Sequence, residues 1–164
     1  ADILVTAKGL ASGFPLSGIA ASSALMEKAW PGSQGGTYGA NAVACAAAVA
    51  TLDVIQEEKL VENAAARGEQ LKAALSAVAD RFTRITDVRG LGLMIGNEFR
   101  DAEGKPDGAT ASAAQQEAAR RGLLLLTCGA WGQVVRFIPA LVVGEQDVDE
   151  AAQIWSESVA AVLG

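Results

Sequence analysis

The chain of 164 residues contains no histidine. Metal centres built on imidazole are thereby excluded within it. So are nucleophiles activated by a neighbouring histidine, such as Ser-His and Cys-His pairs. Cysteine is scarce: Cys45 and Cys128 stand outside any ligand spacing and read as free thiols of a reducing compartment. No apolar run is long enough to cross a bilayer, and the longest, residues 42–52, is closed by Asp53. Positive charge is in deficit, with 13 Lys and Arg against 19 Asp and Glu, a formal net charge of −6. That balance disfavours nucleic acid and anionic membrane as partners. A signal peptide and an initiator methionine are also missing. The chain opens inside a strand pattern, so it reads as a piece of a longer, cytoplasmic protein, cut just before a functional segment.

What is there suffices for a sizeable core: 51% of residues are apolar and 20% are charged. Residues 3–6 (ILVT) suit a strand buried on both faces. Residues 8–17 form a loop, residues 18–21 a second short apolar run, and Ser22 or Ser23 caps a short helix reaching Trp30. Residues 42–56 are almost all small or apolar, which predicts a buried, closely packed helix. From Lys59 the pattern turns one-sided, with Leu60, Ala64, Leu71, Leu75 and Val78 at helical spacing as far as Asp80.

The remainder alternates strands and helices. Strands are expected at residues 84–88, after the glycine turn that follows Arg89, in LLLLT and in QVVRFIPAL. Ser112 and Gln115 suggest a capping box opening one helix, with Gly122 just past its end. Val148, Ala151, Ala152, Trp155, Val159 and Val162 mark the apolar face of a last helix. The predicted division is residues 1–82, the end of an α/β domain, and residues 83–164, a small α+β unit of a sheet covered by helices.

Three features carry chemistry. Lys8 follows an apolar strand and precedes glycine, so its amine can stand over the crevice at the strand ends, poised to form a Schiff base with a carbonyl. The alternative is a strand-end lysine snorkelling to water. Gly35, Gly36 and Thr37 lie ahead of the long helix and can cradle a phosphate with backbone N–H groups and a hydroxyl, or can form a plain loop with a threonine cap. Arg136 sits in the apolar run VVRFIP. It can clamp a carboxylate, pair with a protein acid, or face water at an edge. An amine for a carbonyl, a phosphate cradle and a carboxylate clamp are together what pyridoxal phosphate acting on an amino acid requires.

Four ordered segments resemble those of the class III, fold-type I pyridoxal-phosphate aminotransferases: TAKGLASGFPLSG, GGTYGANAVACAAAVATL, VRGLGLMIGNEF and TCGAWGQVVRFIPALVV. The resemblance spans nearly the whole chain, and its last two segments are most like the 4-aminobutyrate branch. It implies the aspartate aminotransferase-like fold: the end of the large domain followed by the small C-terminal domain. It implies pyridoxal 5'-phosphate as cofactor, amino acid and 2-oxo acid substrates, and a homodimer. It implies that Lys8 is the Schiff-base lysine and proton carrier, that Gly36 and Thr37 contact the phosphate bound in the neighbouring subunit, and that Arg136 clamps the carboxylate of glutamate or 2-oxoglutarate.

Gln133 and Ala140 stand where most members carry Asn and Pro, and Gln34 stands near the place of a His usual in the loop ahead of Thr37. These departures bear on substrate preference rather than on the cofactor. In the family, the acid pairing the pyridine nitrogen, the stacking aromatic and the main phosphate loop lie upstream of the lysine, so the 164 residues alone are expected to be inactive. Ornithine, acetylornithine or diamine aminotransferases and glutamate semialdehyde aminomutase share the motifs, and a non-catalytic binding or assembly domain is the reading of a different class.

Overall fold

The computed structural model describes residues 1–33 and 35–164. Gln34, one of the three departures, lies outside the described residues. The chain divides into two compact units, Ala1–Lys59 and Leu60–Gly164. This division falls ahead of the expected boundary at 82/83. The one-sided helix over Leu60–Ala79 packs its apolar face onto elements of the second unit.

In the first unit, β1 (Ile3–Thr6) and β2 (Gly18–Ala21) form an antiparallel pair. A single 3-10 turn, Lys8–Ala11, follows β1. Short α1 (Ser23–Met26) ends earlier than predicted, and α2 (Ala42–Glu57) is the long helix. Two expectations of burial are corrected here. Ile3, Leu4 and Val5 are 54%, 61% and 68% exposed, and of α2 only Ala44 and Ala48 are buried, while Val43, Val49 and Leu52 face outward. Composition reports that side chains are apolar; it does not report that anything covers them. The packing this unit does have is made by small residues, with α2 lying against the 3-10 turn and Ala11, Ala44 and Ala48 all buried.

The second unit is a four-stranded antiparallel sheet carrying three helices. Its strands are β3 (Ile85–Leu91), β4 (Met94–Phe99), β5 (Leu126–Cys128) and β6 (Val134–Phe137), in spatial order β3-β4-β6-β5. The helices are α3 (Leu60–Ala79), α4 (Gly108–Arg120) and α5 (Glu145–Leu163). Strand alternation sends Ile95, Phe99, Val135 and Phe137 into the core, where they meet Leu71 and Leu75 of α3, Ala111, Ala114 and Ala118 of α4, and Val148, Trp155 and Val159 of α5. Trp155 sits edge-on to Phe99 and Phe137, with ring centroids 6.1 and 5.4 Å away. Both are favourable aromatic geometries. The opposite face carries Gly96, Glu98, Val134 and Arg136.

The helix ends follow local chemistry. Asp107, rather than Ser112, caps α4, accepting a 3.0 Å hydrogen bond from the Thr110 amide. Ser112 lies inside the helix, where its hydroxyl accepts from Gln116. Asp107 wins because Arg84 also pairs with its carboxylate and holds it in place. At the other end Gly122 adopts φ 93, a left-handed residue just past the helix. Asp147 accepts from the Gly144 amide at the start of α5.

Candidate active-site elements

β1 delivers Lys8 at its end, as the first residue of the 3-10 turn. Lys8 takes a left-handed backbone, φ 51, uncommon for a residue with a side chain. It is exposed, and among the described residues no carboxylate lies within ion-pair distance of its amine. The turn and the loop after it curl round an open hollow lined by Lys8, Ser12, Phe14 and Leu16. A neighbouring hollow is shared by residues 15–17 and 38–40. The fold therefore sets the lysine loop and the glycine-rich loop side by side within one unit.

Thr37 lies in a tight turn closed by a 3.0 Å hydrogen bond from the Gly39 amide to the Gly36 carbonyl. It is not the helix cap. Asn41 caps α2, its side-chain oxygen accepting from the Ala44 amide at 2.9 Å while its Nδ2 donates to the Tyr38 carbonyl. Asn ahead of an apolar helical run is a cap signal legible in the sequence. With the cap supplied by Asn41, the exposed Thr37 hydroxyl has no hydrogen-bond partner among the described residues. An amine and a hydroxyl in a glycine-rich turn, both without partners among the described residues, are what a phosphorylated carbonyl compound needs, so this part of the site fits the cofactor.

Arg136 belongs to the second unit. It is on β6, an interior strand between β4 and β5, so it is not an edge residue. Gly96 of β4 and Leu126 of β5 are its direct cross-strand neighbours. Among the described residues it forms no ion pair, and its Nε is buried without a hydrogen-bond partner. A buried donor left unmade costs about 1–3 kcal/mol, so a guanidinium in this state is primed for an anion. Gln133 is buried and structural: its Oε1 accepts from the Trp131 amide, closing the loop ahead of β6.

Sequence reasoning missed a second group on this face. Glu98 is held by Arg89 at 2.7 Å and by Arg100 at 2.6 Å. Arg100 is two residues from Glu98 along the chain, a spacing that puts both on one strand face, whereas Arg89 is brought to Glu98 only by the β3–β4 register.

Solved structures with this arrangement define the fold as that of the pyridoxal-phosphate-dependent aminotransferases. An acetylornithine aminotransferase from Elizabethkingia anophelis superposes with a TM-score of 0.84 at 32% identity, over 98% of this chain and 41% of that one. An ornithine aminotransferase from Toxoplasma gondii, described with partial occupancy of PLP at its active site, gives a TM-score of 0.84 at 31% identity, over 98% and 37%.

The chain belongs to the class-III aminotransferase family, whose model matches residues 1–159. Among curated relatives it is 38% identical to the 5-aminovalerate aminotransferase DavT of Pseudomonas putida, over 98% of this chain and 38% of that protein. It is 37% identical to the 4-aminobutyrate aminotransferase GabT of Escherichia coli, over 95% and 37%. The chain thus spans little more than a third of the length of these relatives.

Proposed function

We propose that the whole protein carrying this chain is a transaminase that moves the amino group of an ω-amino acid of the 4-aminobutyrate type to 2-oxoglutarate. The observation that carries this reading is the partner-free amine of Lys8 at the end of β1, in a chain matched to the family from its first residue. In this reading the first unit is the end of the larger, cofactor-binding domain, and the second, with α3 included, is the small domain.

Pyridoxal phosphate, when bound, supplies a carbonyl for amines and a ring that stabilises charge on the neighbouring carbon. The chain's own residues do the rest. Lys8 would hold the group through its amine, and as a free amine it would remove and return the proton on the nitrogen-bearing substrate carbon. Gly36 leaves the backbone open to a phosphate, and Thr37 donates its hydroxyl. Exposure of Thr37, together with its release from capping α2, supports service to a neighbouring subunit in a homodimer. Arg136 takes the carboxylate in a two-point clasp.

DavT and GabT, at 38% and 37% identity, support an ω-amino acid donor, and a diaminobutyrate–2-oxoglutarate aminotransferase of Rhizobium meliloti, at 37%, supports 2-oxoglutarate as acceptor and keeps a diamino acid donor as the second reading. The free thiols at Cys45 and Cys128 accord with a cytoplasmic protein. On this reading the 164 residues alone give no turnover, because they span little more than a third of the length of their relatives. The deciding experiment assays the full-length protein against 4-aminobutyrate, 5-aminovalerate, ornithine and acetylornithine, with 2-oxoglutarate or pyruvate as acceptor. Preference for the first two with 2-oxoglutarate supports the reading, and turnover of ornithine or acetylornithine alone refutes the ω-amino acid assignment.

A further inference from the structure

The core of the second unit holds a polar group that its neighbours do not answer. Asn97, in the middle of β4, is wholly buried, and neither Nδ2 nor Oδ1 of its amide has a hydrogen-bond partner among the described residues. Strand alternation puts it on the core face with Ile95 and Phe99, and its cross-strand neighbours are Val88 and Val135. None of these side chains carries a polar atom. The other buried polar side chains are engaged elsewhere. Glu98 lies on the opposite face, Oε1 of Gln133 accepts from the Trp131 amide, and Ser158 donates its proton to the Ile154 carbonyl at 2.7 Å.

A second orphaned group lies above it. Trp155 of α5 is also fully buried, and its Nε1 has no partner among the described residues. The indole stands edge-on to both Phe99 and Phe137, with centroids 6.1 and 5.4 Å away. Phe137 pairs with Ile95, and Phe99 lies two residues beyond Asn97 on β4. The cross-strand pair between the two phenylalanines is therefore Asn97 and Val135, and the indole that bridges the phenylalanines covers it. A nitrogen that only donates and an amide that both donates and accepts are thus left together in apolar surroundings. Both residues are enclosed by the 164 residues themselves, so no other part of the parent protein reaches them.

Buried polar groups in folded proteins are nearly always paired, with protein or with ordered water. We infer that the sheet and α5 enclose an internal hydration site between Asn97 and Trp155. One bound water accepts the indole proton of Trp155 and donates to Oδ1 of Asn97. A second, bonded to the first, accepts from Nδ2. The first water then makes about three hydrogen bonds, the usual number for a buried one. Water suits the place because it is small and both donates and accepts, so it serves an indole and an amide whose neighbours can do neither. The site ties an interior strand of the sheet to the helix that covers it, at a point where apolar packing by itself gives no directional bond.

The test is a crystal structure of the full-length protein at a resolution that shows ordered water. Water is expected about 3 Å from both Nε1 of Trp155 and the Asn97 amide. It is expected to be gone in Asn97→Leu, which keeps the branched skeleton and has no polar atom. Melting temperatures of the full-length protein give a second measurement. Asn97→Leu is expected to lower the melting temperature, because it takes from the indole nitrogen the water that Asn97 helps to hold. In the presence of Trp155→Phe, which removes that nitrogen, the same substitution is expected to lower it less or to raise it. An Asn97 amide bonded directly to the indole or to backbone, with no water beside it, overturns the inference. So does a water that persists in Asn97→Leu, or an effect of Asn97→Leu that is the same with and without Trp155→Phe. Should the variants not fold, the structure of the parent decides by itself.

Discussion

Arg136 and Gly96 face one another across the β4–β6 ladder, so only a hydrogen atom of β4 stands opposite the guanidinium. A Cβ at Gly96 would come within 2.9 Å of Cγ1 of Val134, on the strand that carries Arg136. A branched side chain there would press on both Val134 and the space the clamp needs. Gly96→Val is therefore expected to raise KM for the 2-oxo acid about tenfold, with a smaller effect from Gly96→Ala. Steady-state kinetics on the full-length enzyme check this, and equal KM values for both variants and the parent would show that the position is not a constraint.

The approach of α3 to the β3–β4 hairpin is set by two glycines. A Cβ on Gly68 would lie 2.3 Å from the carbonyl oxygen of Gly92, a backbone atom with no rotamer to escape through. Gly92 itself needs its left-handed φ of 54. Alanine in a helix interior ordinarily gains about 1 kcal/mol over glycine, but overpacking against backbone costs about 3 kcal/mol or more. Net destabilisation of about 2 kcal/mol is expected for Gly68→Ala, read as a lower urea midpoint at unchanged slope. A variant more stable than the parent would mean that the helix and hairpin are less closely apposed.

Acid sensitivity should trace to Asp107. Burial pushes its pKa up, but hydrogen bonds from the side chain and amide of Thr110 and the pairing with Arg84 outweigh it, leaving the value lowered. A carboxyl with a lowered folded pKa contributes stability above its unfolded value, and that stability is lost as pH falls through the folded one. Asp107→Asn keeps a good helix cap and removes the titration. Urea midpoints of parent and variant should differ at neutral pH and converge as pH falls below the ordinary aspartate value and through the lowered folded one. Parallel curves would assign the acid limb to other groups.

Much of the second unit was readable because its helices face one core. Leu60, Leu71, Leu75 and Val78, and likewise Val148, Trp155 and Val159, repeat at the spacing of a buried stripe and are buried. The burial expected of β1 and α2 is not seen within this chain, which spans little more than a third of the length of its relatives, and elements apolar all round do not say which side these 164 residues themselves cover. The cap of α4 was misplaced because Asp107 is selected by Arg84, 23 residues away in sequence. Lys8, Thr37 and Arg136 were visible as residue types. The setting of Arg136 was not, because its cross-strand neighbours Gly96 and Leu126 follow from strand register.

The anchoring role of Lys8 is tested most directly by reducing the full-length, cofactor-loaded protein with borohydride and mapping the modified peptide by mass spectrometry. The chain has five lysines: Lys8, Lys28, Lys59, Lys72 and Lys105. The account predicts a phosphopyridoxyl group on Lys8 alone, and no label in this chain after Lys8→Ala. A label on any other lysine, or none on Lys8 in a protein that holds the cofactor, would contradict it.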